Sequence, residues 1–206
     1  MDIFNTNPLT SEDWQNICRQ NLAIQKQLTT NLFNNPYGMT PELSEIYIPV
    51  SIKAEHSFTC TTEKCFFEEV FQQGKSQLTQ GKRIALIGKR GSGKTTRLQK
   101  IADFILEQKL GLPIWISWAD LTQPTITQYI EEVWIKQTSP SLTIDELTQQ
   151  KEQIWLLFDG WDEMISRLER HQISALLGEW MQAARVVVTC RLNVWEGDKN
   201  AWLFST

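Results

Sequence analysis

The chain has 206 residues, 41% of them hydrophobic and 21% charged, with a formal net charge of -4. That balance describes a folded domain with one well-filled core, and it excludes a disordered segment or a surface that is cationic throughout, as nucleic acid or anionic lipid would require. No window reaches the ~20 apolar residues of a membrane-spanning helix, because Glu107 and Asp120 bound the most apolar stretch, around 110–119.

The first residues, Met1 to Pro8, are polar and carry no signal peptide, so a soluble cytoplasmic chain with reduced cysteines is expected, with no membrane partner and no nucleic-acid signal. Residues 1–35 read as helical: Thr10 and Asp13 form a capping pattern, and Trp14, Ile17, Cys18 and Leu22 share one face. The polar run 34–38 breaks that helix, and 46–52 reads as a strand whose Pro49 suits a sheet edge. Cys60, Cys65 and His56 lack the fourth ligand that a closed zinc site needs. Phe67, Val70 and Phe71 suggest an amphipathic helix over 64–80, stopped by Gly81.

From Arg83 onward, short apolar runs alternate with helical periodicity, the pattern of a parallel sheet covered on both faces. Strands are expected over 84–87, 113–118, 154–158 and 185–189. Between them, Leu98, Ile101, Ala102 and Ile105 mark one helix, Ile126, Tyr129, Ile130 and Val133 a second, and Ile173, Leu176, Leu177 and Trp180 another. Thr143 and Glu146 form a capping box before a polar helix expected to reach about Gln153.

Between the first expected strand and the helix after it, Gly88-Lys89-Arg90-Gly91-Ser92-Gly93-Lys94-Thr95 matches G-x-x-x-x-G-K-[ST], followed by Thr96. The glycines let the backbone wrap a polyphosphate so that successive N–H groups point inward, and the following helix adds its positive end. In this motif Lys94 reaches the β- and γ-phosphates and Thr95 ligates Mg²⁺. Asp159 ends the strand 154–158, which is expected to deliver its carboxylate beside the first strand, where it can hold the Mg²⁺ hydration shell. Taken alone, an apolar strand ending in Asp is equally an ordinary buried strand meeting a polar turn. A guanine-selecting N-K-x-D motif is absent and Asp162 stands where a GTPase has glycine, so ATP is the expected nucleotide.

Phe158-Asp159-Gly160-Trp161-Asp162-Glu163 resembles the D-G-h-D-E signature of NACHT-domain NTPases, in the STAND class of signalling ATPases. Thr189-Cys190-Arg191 is similar to that family's T-[SC]-R motif. The resemblance covers about residues 45–206, after an N-terminal helical segment over 1–44, and implies an α/β, three-layer P-loop fold with a mostly parallel central sheet. It implies that Gly160 stands where a catalytic glutamate usually follows the strand aspartate, so that hydrolysis is slow. By the same resemblance Asp162 and Glu163 position Mg²⁺ or water, and Arg191 senses the γ-phosphate. It further implies nucleotide-dependent self-association and attached effector or sensor domains, and it makes the chain look like a truncation ahead of the family's further domains. A P-loop phosphotransferase and a non-catalytic adaptor remain alternatives; the first would want an arginine-rich lid, where 120–150 offers only Lys136.

Overall fold

A computed structural model describes residues 9–30, 66–68, 82–178, 180 and 185–195. The strand expected over 46–52, the group Cys60, Cys65 and His56, most of the helix expected over 64–80 and the tail beyond Trp195 lie outside the described residues.

Four parallel strands form one sheet: β1 (Arg83–Gly88), β2 (Leu112–Ser117), β3 (Ile154–Asp159) and β4 (Arg185–Arg191), in the spatial order β1-β4-β3-β2. One expectation is overturned here. β3 does not lie beside β1; β4 pairs with β1 from Arg83↔Val186 to Gly88↔Arg191, and with β3 from Trp155↔Arg185 to Phe158↔Val188. Strand order is set by non-local pairing, between segments about a hundred residues apart for β1 and β4 and about 30 for β3 and β4, and each strand read by itself carries no trace of it. Because every strand runs the same way, all four deliver their carboxyl ends to one edge of the sheet, the usual seat of a ligand in open α/β folds.

The buried runs explain why this sheet is parallel and sandwiched. Leu112–Ile116, Ile154–Phe158 and Val186–Cys190 are buried at every successive position. Neighbouring side chains on a strand point to opposite faces, so both faces are covered. The helices that cover them are α1 (Ser11–Thr30), α2 (Lys94–Glu107), α3 (Ile126–Tyr129), α4 (Ile144–Thr148), α5 (Trp161–Ile165) and α6 (Arg170–Leu177). α2 spans the sheet and touches all four strands, burying Leu98, Ile101, Ala102 and Ile105 completely.

α1 begins as its sequence predicts, with the Thr10 amide and hydroxyl both donating to Asp13 Oδ2 at 2.8 and 2.6 Å. Trp14, Ile17, Cys18 and Leu22 enter the same core, α1 lies against β2 and α2, and Lys26 Nζ pairs with Asp103 of α2 at 2.7 Å. Phe66 and Phe67 are buried, with the Phe67 ring 4.6 Å from that of Phe104. Four of the nine tryptophans, Trp14, Trp155, Trp161 and Trp180, are among the most fully buried side chains, which accounts for the bulk of the core.

Helix boundaries differ more than strands. The helix capped by Thr143 and Glu146 ends at Thr148 and is followed by a 3-10 turn over Lys151–Gln153, where a continuous helix was expected. Its buried residue is Leu147 alone, so little packing holds a further turn against the polar run Gln149-Gln150-Lys151. α3 continues through a wider π-helical stretch, Ile130–Ile135, to Lys136–Thr138. The strand expected over 113–118 starts at Leu112 and hands Trp118 to a 3-10 turn. No described helix is long and apolar enough to cross a membrane.

Leu157 sits in the interior strand β3, fully buried, opposite Trp115 of β2 and Val187 of β4. Leu157→Ala is expected to lower unfolding free energy by about 2–5 kcal/mol, because the surrounding sheet cannot collapse onto the void. A urea titration that leaves the midpoint unchanged would show that Leu157 is not packed in the core of the sheet.

Candidate nucleotide-binding site

The loop between β1 and α2 is built by two local features. Gly93 takes φ 75 and ψ 23 immediately before the helix, a left-handed conformation that side chains disfavour, and this turns the chain sharply into α2. The Arg97 amide then donates to Gly93 O at 2.9 Å, starting the helix, and the Ser92 amide donates to Lys89 O at 3.2 Å, closing the loop on itself. Lys89, Arg90, Gly91, Ser92 and Gly93 are all exposed, so the cradle is open rather than filled by neighbouring side chains.

Lys94 points back into that loop. Its ammonium donates to Lys89 O at 2.9 Å and Gly88 O at 3.2 Å, which fixes the cation within the ring of backbone it follows. Gly88 O also accepts from the Leu192 amide at 3.1 Å, so the chain leaving β4 ties down the start of the loop. Thr95, in the first turn of α2, donates its hydroxyl to Asp159 Oδ2 at 2.9 Å. Thr96 follows it, partly buried in the same turn. The loop, the ammonium and the strand carboxylate, expected from separate stretches of sequence, therefore meet at one edge of the sheet.

Asp159 has a second partner that no local motif announces. Thr189 Oγ1 of β4 donates to Asp159 Oδ1 at 2.7 Å and accepts from the Gly160 amide at 3.0 Å. A signal for it existed: a hydroxyl at the end of the apolar run Val186-Val187-Val188 is an unusual residue to bury without a partner.

Beyond Asp159 the chain turns at Gly160, φ 89 and ψ 34, into the short helix α5. A Cβ at this position would lie 3.4 Å from Trp118 Cβ and 3.9 Å from the Glu163 carboxyl carbon. Asp162, almost fully buried, takes the Arg191 Nε at 2.9 Å and the Arg191 amide at 3.3 Å; Glu163, more exposed, takes Arg191 Nη2 at 3.4 Å. Asp162, Glu163 and Arg191 are thus brought together, but with one another: Arg191 is gripped by both acids. Burial, then the Asp162 carboxylate, pushes the neighbouring Cys190 thiol up to about 12, so it is protonated and unreactive at neutral pH.

The donor set fits magnesium. A hydroxyl and a carboxylate are hard oxygens beside an open, cationic loop, and Mg²⁺ characteristically takes one or two protein oxygens and completes its octahedron with phosphate and water. Among the described residues no three His, Cys, Asp or Glu side chains converge as a metal cage. A separate cleft of about 270 Å³, lined by Trp118, Leu121, Pro124, Leu168 and Leu176 among others, flanks the turn after β2. It offers no cation and no glycine loop, so it is not where a polyphosphate binds.

The family model of the NACHT domain matches residues 82–200, more than half of the chain. The chain belongs to the NACHT-domain family. No curated protein matches it. This NACHT domain is a nucleotide-binding P-loop NTPase domain, and the matched span contains the glycine loop, Asp159 and its turn, and the Thr189-Cys190-Arg191 strand end.

Gly160→Ala is expected to destabilise the domain by about 1–2 kcal/mol, since the left-handed backbone at φ 89 penalises any side chain. Thermal unfolding checks it; an unchanged midpoint would mean the turn relaxes freely.

Proposed function

We propose that this NACHT domain binds ATP with Mg²⁺ and hydrolyses it slowly, serving as the nucleotide switch of a STAND signalling protein. The observation that carries the reading is the convergence of the open glycine loop, the Lys94 ammonium inside it and the Thr95–Asp159 pair at 2.9 Å.

In this reading the amides of Gly88 to Thr96 line the polyphosphate, with Lys89 and Arg90 adding positive charge at the loop's exposed rim. Lys94 exchanges its two carbonyl partners for β- and γ-phosphate oxygens, a charge-assisted contact stronger than the one it gives up. Thr95 and Asp159 would hold Mg²⁺, whose charge would neutralise that of the β- and γ-phosphate oxygens. Asp162 holds Arg191 by its side chain and amide, aligning the guanidinium at the carboxyl end of β4. Glu163 is the remaining carboxylate available to orient water.

Slow turnover follows from Gly160. General-base assistance contributes typically 10²–10⁴-fold, and the residue directly after Asp159 has no side chain to supply it. A domain that keeps its triphosphate for long periods suits a switch, because each nucleotide state then persists long enough for attached domains or a second copy to respond. ATP is favoured over GTP by the absence of an N-K-x-D motif.

Titrating the intact chain with ATP and GTP, with Mg²⁺ and with EDTA, tests this directly. Lys94→Ala is expected to weaken triphosphate binding about 100-fold or more, the scale of losing a desolvated charged contact. Asp159→Ala is expected to reduce Mg²⁺-dependent affinity and turnover while leaving EDTA binding near the parent value. Equal turnover by the Asp159 variant and the parent would refute this division of roles, and absence of all nucleotide binding would favour an adaptor.

A further inference from the structure

Thr189 lies at the carboxyl end of β4, one position past the last β3–β4 pair, Phe158↔Val188. Its side chain is buried, only 1% exposed, and its hydroxyl has two partners of opposite sense. The Gly160 amide can only donate, so Oγ1 accepts there at 3.0 Å. That leaves the single hydroxyl proton for Asp159 Oδ1, 2.7 Å away. The direction of the chain is fixed: amide to hydroxyl to carboxylate.

Asp159 consequently receives separate hydroxyls on its two oxygens, Thr189 on Oδ1 at 2.7 Å and Thr95 on Oδ2 at 2.9 Å, with Thr95 also 3.2 Å from Oδ1. The two donors do different work. Thr95 belongs to the glycine-loop helix and would turn its lone pairs to a bound cation, whereas Thr189 comes from the sheet, at the end of β4. Without Thr189 the carboxylate would be held only by the group that shares the cation with it, and free to rotate about its own side-chain bonds.

From this geometry we infer that Thr189 is a positioning residue for the cation: it clamps the Asp159 carboxylate, through its hydroxyl alone, in the orientation that accepts Mg²⁺ with the nucleotide. The inference rests on the nucleotide-binding reading above and adds to it a residue that touches neither phosphate nor metal. Partners of this kind, which orient a metal's own ligands, typically change metal affinity 10–100-fold when removed. The Gly160 amide on the same hydroxyl joins this clamp to the turn that begins α5, so the acidic turn and the cation site are set by one atom.

The test is the ratio of ATP dissociation constants measured in EDTA and in Mg²⁺, read by fluorescence or calorimetric titration of the intact chain and its Thr189→Val, Thr189→Ala and Thr189→Ser variants. Valine keeps the β-branched shape and removes the hydroxyl; serine keeps the hydroxyl and removes the methyl. The expected result is a ratio lowered about 10-fold in the valine and alanine variants, with EDTA affinity unchanged, and a parent-like ratio in the serine variant. The inference is overturned if valine preserves the ratio, if binding falls equally with and without Mg²⁺, if serine fails to rescue, or if both hydroxyl-free variants do not fold. A parent chain that binds no nucleotide would instead sink the proposed function, so the two failures are distinguishable.

Discussion

The placement of β4 between β1 and β3 is the constraint on which the site depends. A parallel ladder on each side of β4 fixes, to within a residue, where the glycine loop leaves β1 and where Asp159 leaves β3. The strand then uses its last residues as connectors. Thr189 binds Asp159 and Gly160, Arg191 binds Asp162 and Glu163, and the Leu192 amide binds Gly88 O at the mouth of the loop. The two halves of the site, built from segments that never pair directly, are held in register by the strand between them.

The charges at this edge are arranged so that each is satisfied while one side remains open. Asp162 is nearly buried and would be costly to leave alone, and it has the Arg191 guanidinium and amide. Asp159 is satisfied by two hydroxyls rather than by a cation of the protein. That difference has chemical content: a carboxylate neutralised by a fixed arginine is unavailable to a metal, whereas one held by neutral hydroxyls keeps its negative charge for a cation. Lys94 shows the same logic with opposite sign, since it is satisfied by carbonyls and keeps its positive charge for an anion.

Much of this was legible in the sequence, and the exceptions have a common cause. The glycine loop, the four strands and the stripes of α1, α2 and α6 are local patterns, and the structure has them where periodicity placed them. The strand order, the clamp by Thr189 and the Arg191–Asp162 pair are not local: they depend on which strands become neighbours, and the clamp and the ion pair join residues 30 and 29 positions apart in the chain. Caps behave likewise in miniature. Thr143 with Glu146 was readable, but Glu169 with Gln172 caps α6 although glutamate is not a usual first choice, and the Thr125 hydroxyl accepts from the Gln128 amide to cap α3. The helix after Thr143 ends at Thr148, short of the expected Gln153, because a polar run has no periodicity to say where packing stops.

The glycine after Asp159 shows how fold and chemistry are tied at one position. With φ 89, position 160 disfavours any side chain, glutamate included, for reasons that concern the turn and not the reaction. A carboxylate added there would strain the same turn whose amide anchors Thr189 and, through it, Asp159. The carboxyl group closest to that vacant direction, Glu163, is 3.4 Å from Arg191 and partly neutralised by it. The geometry that holds the Asp159 carboxylate in place is therefore the geometry that disfavours a side chain at the position directly after it.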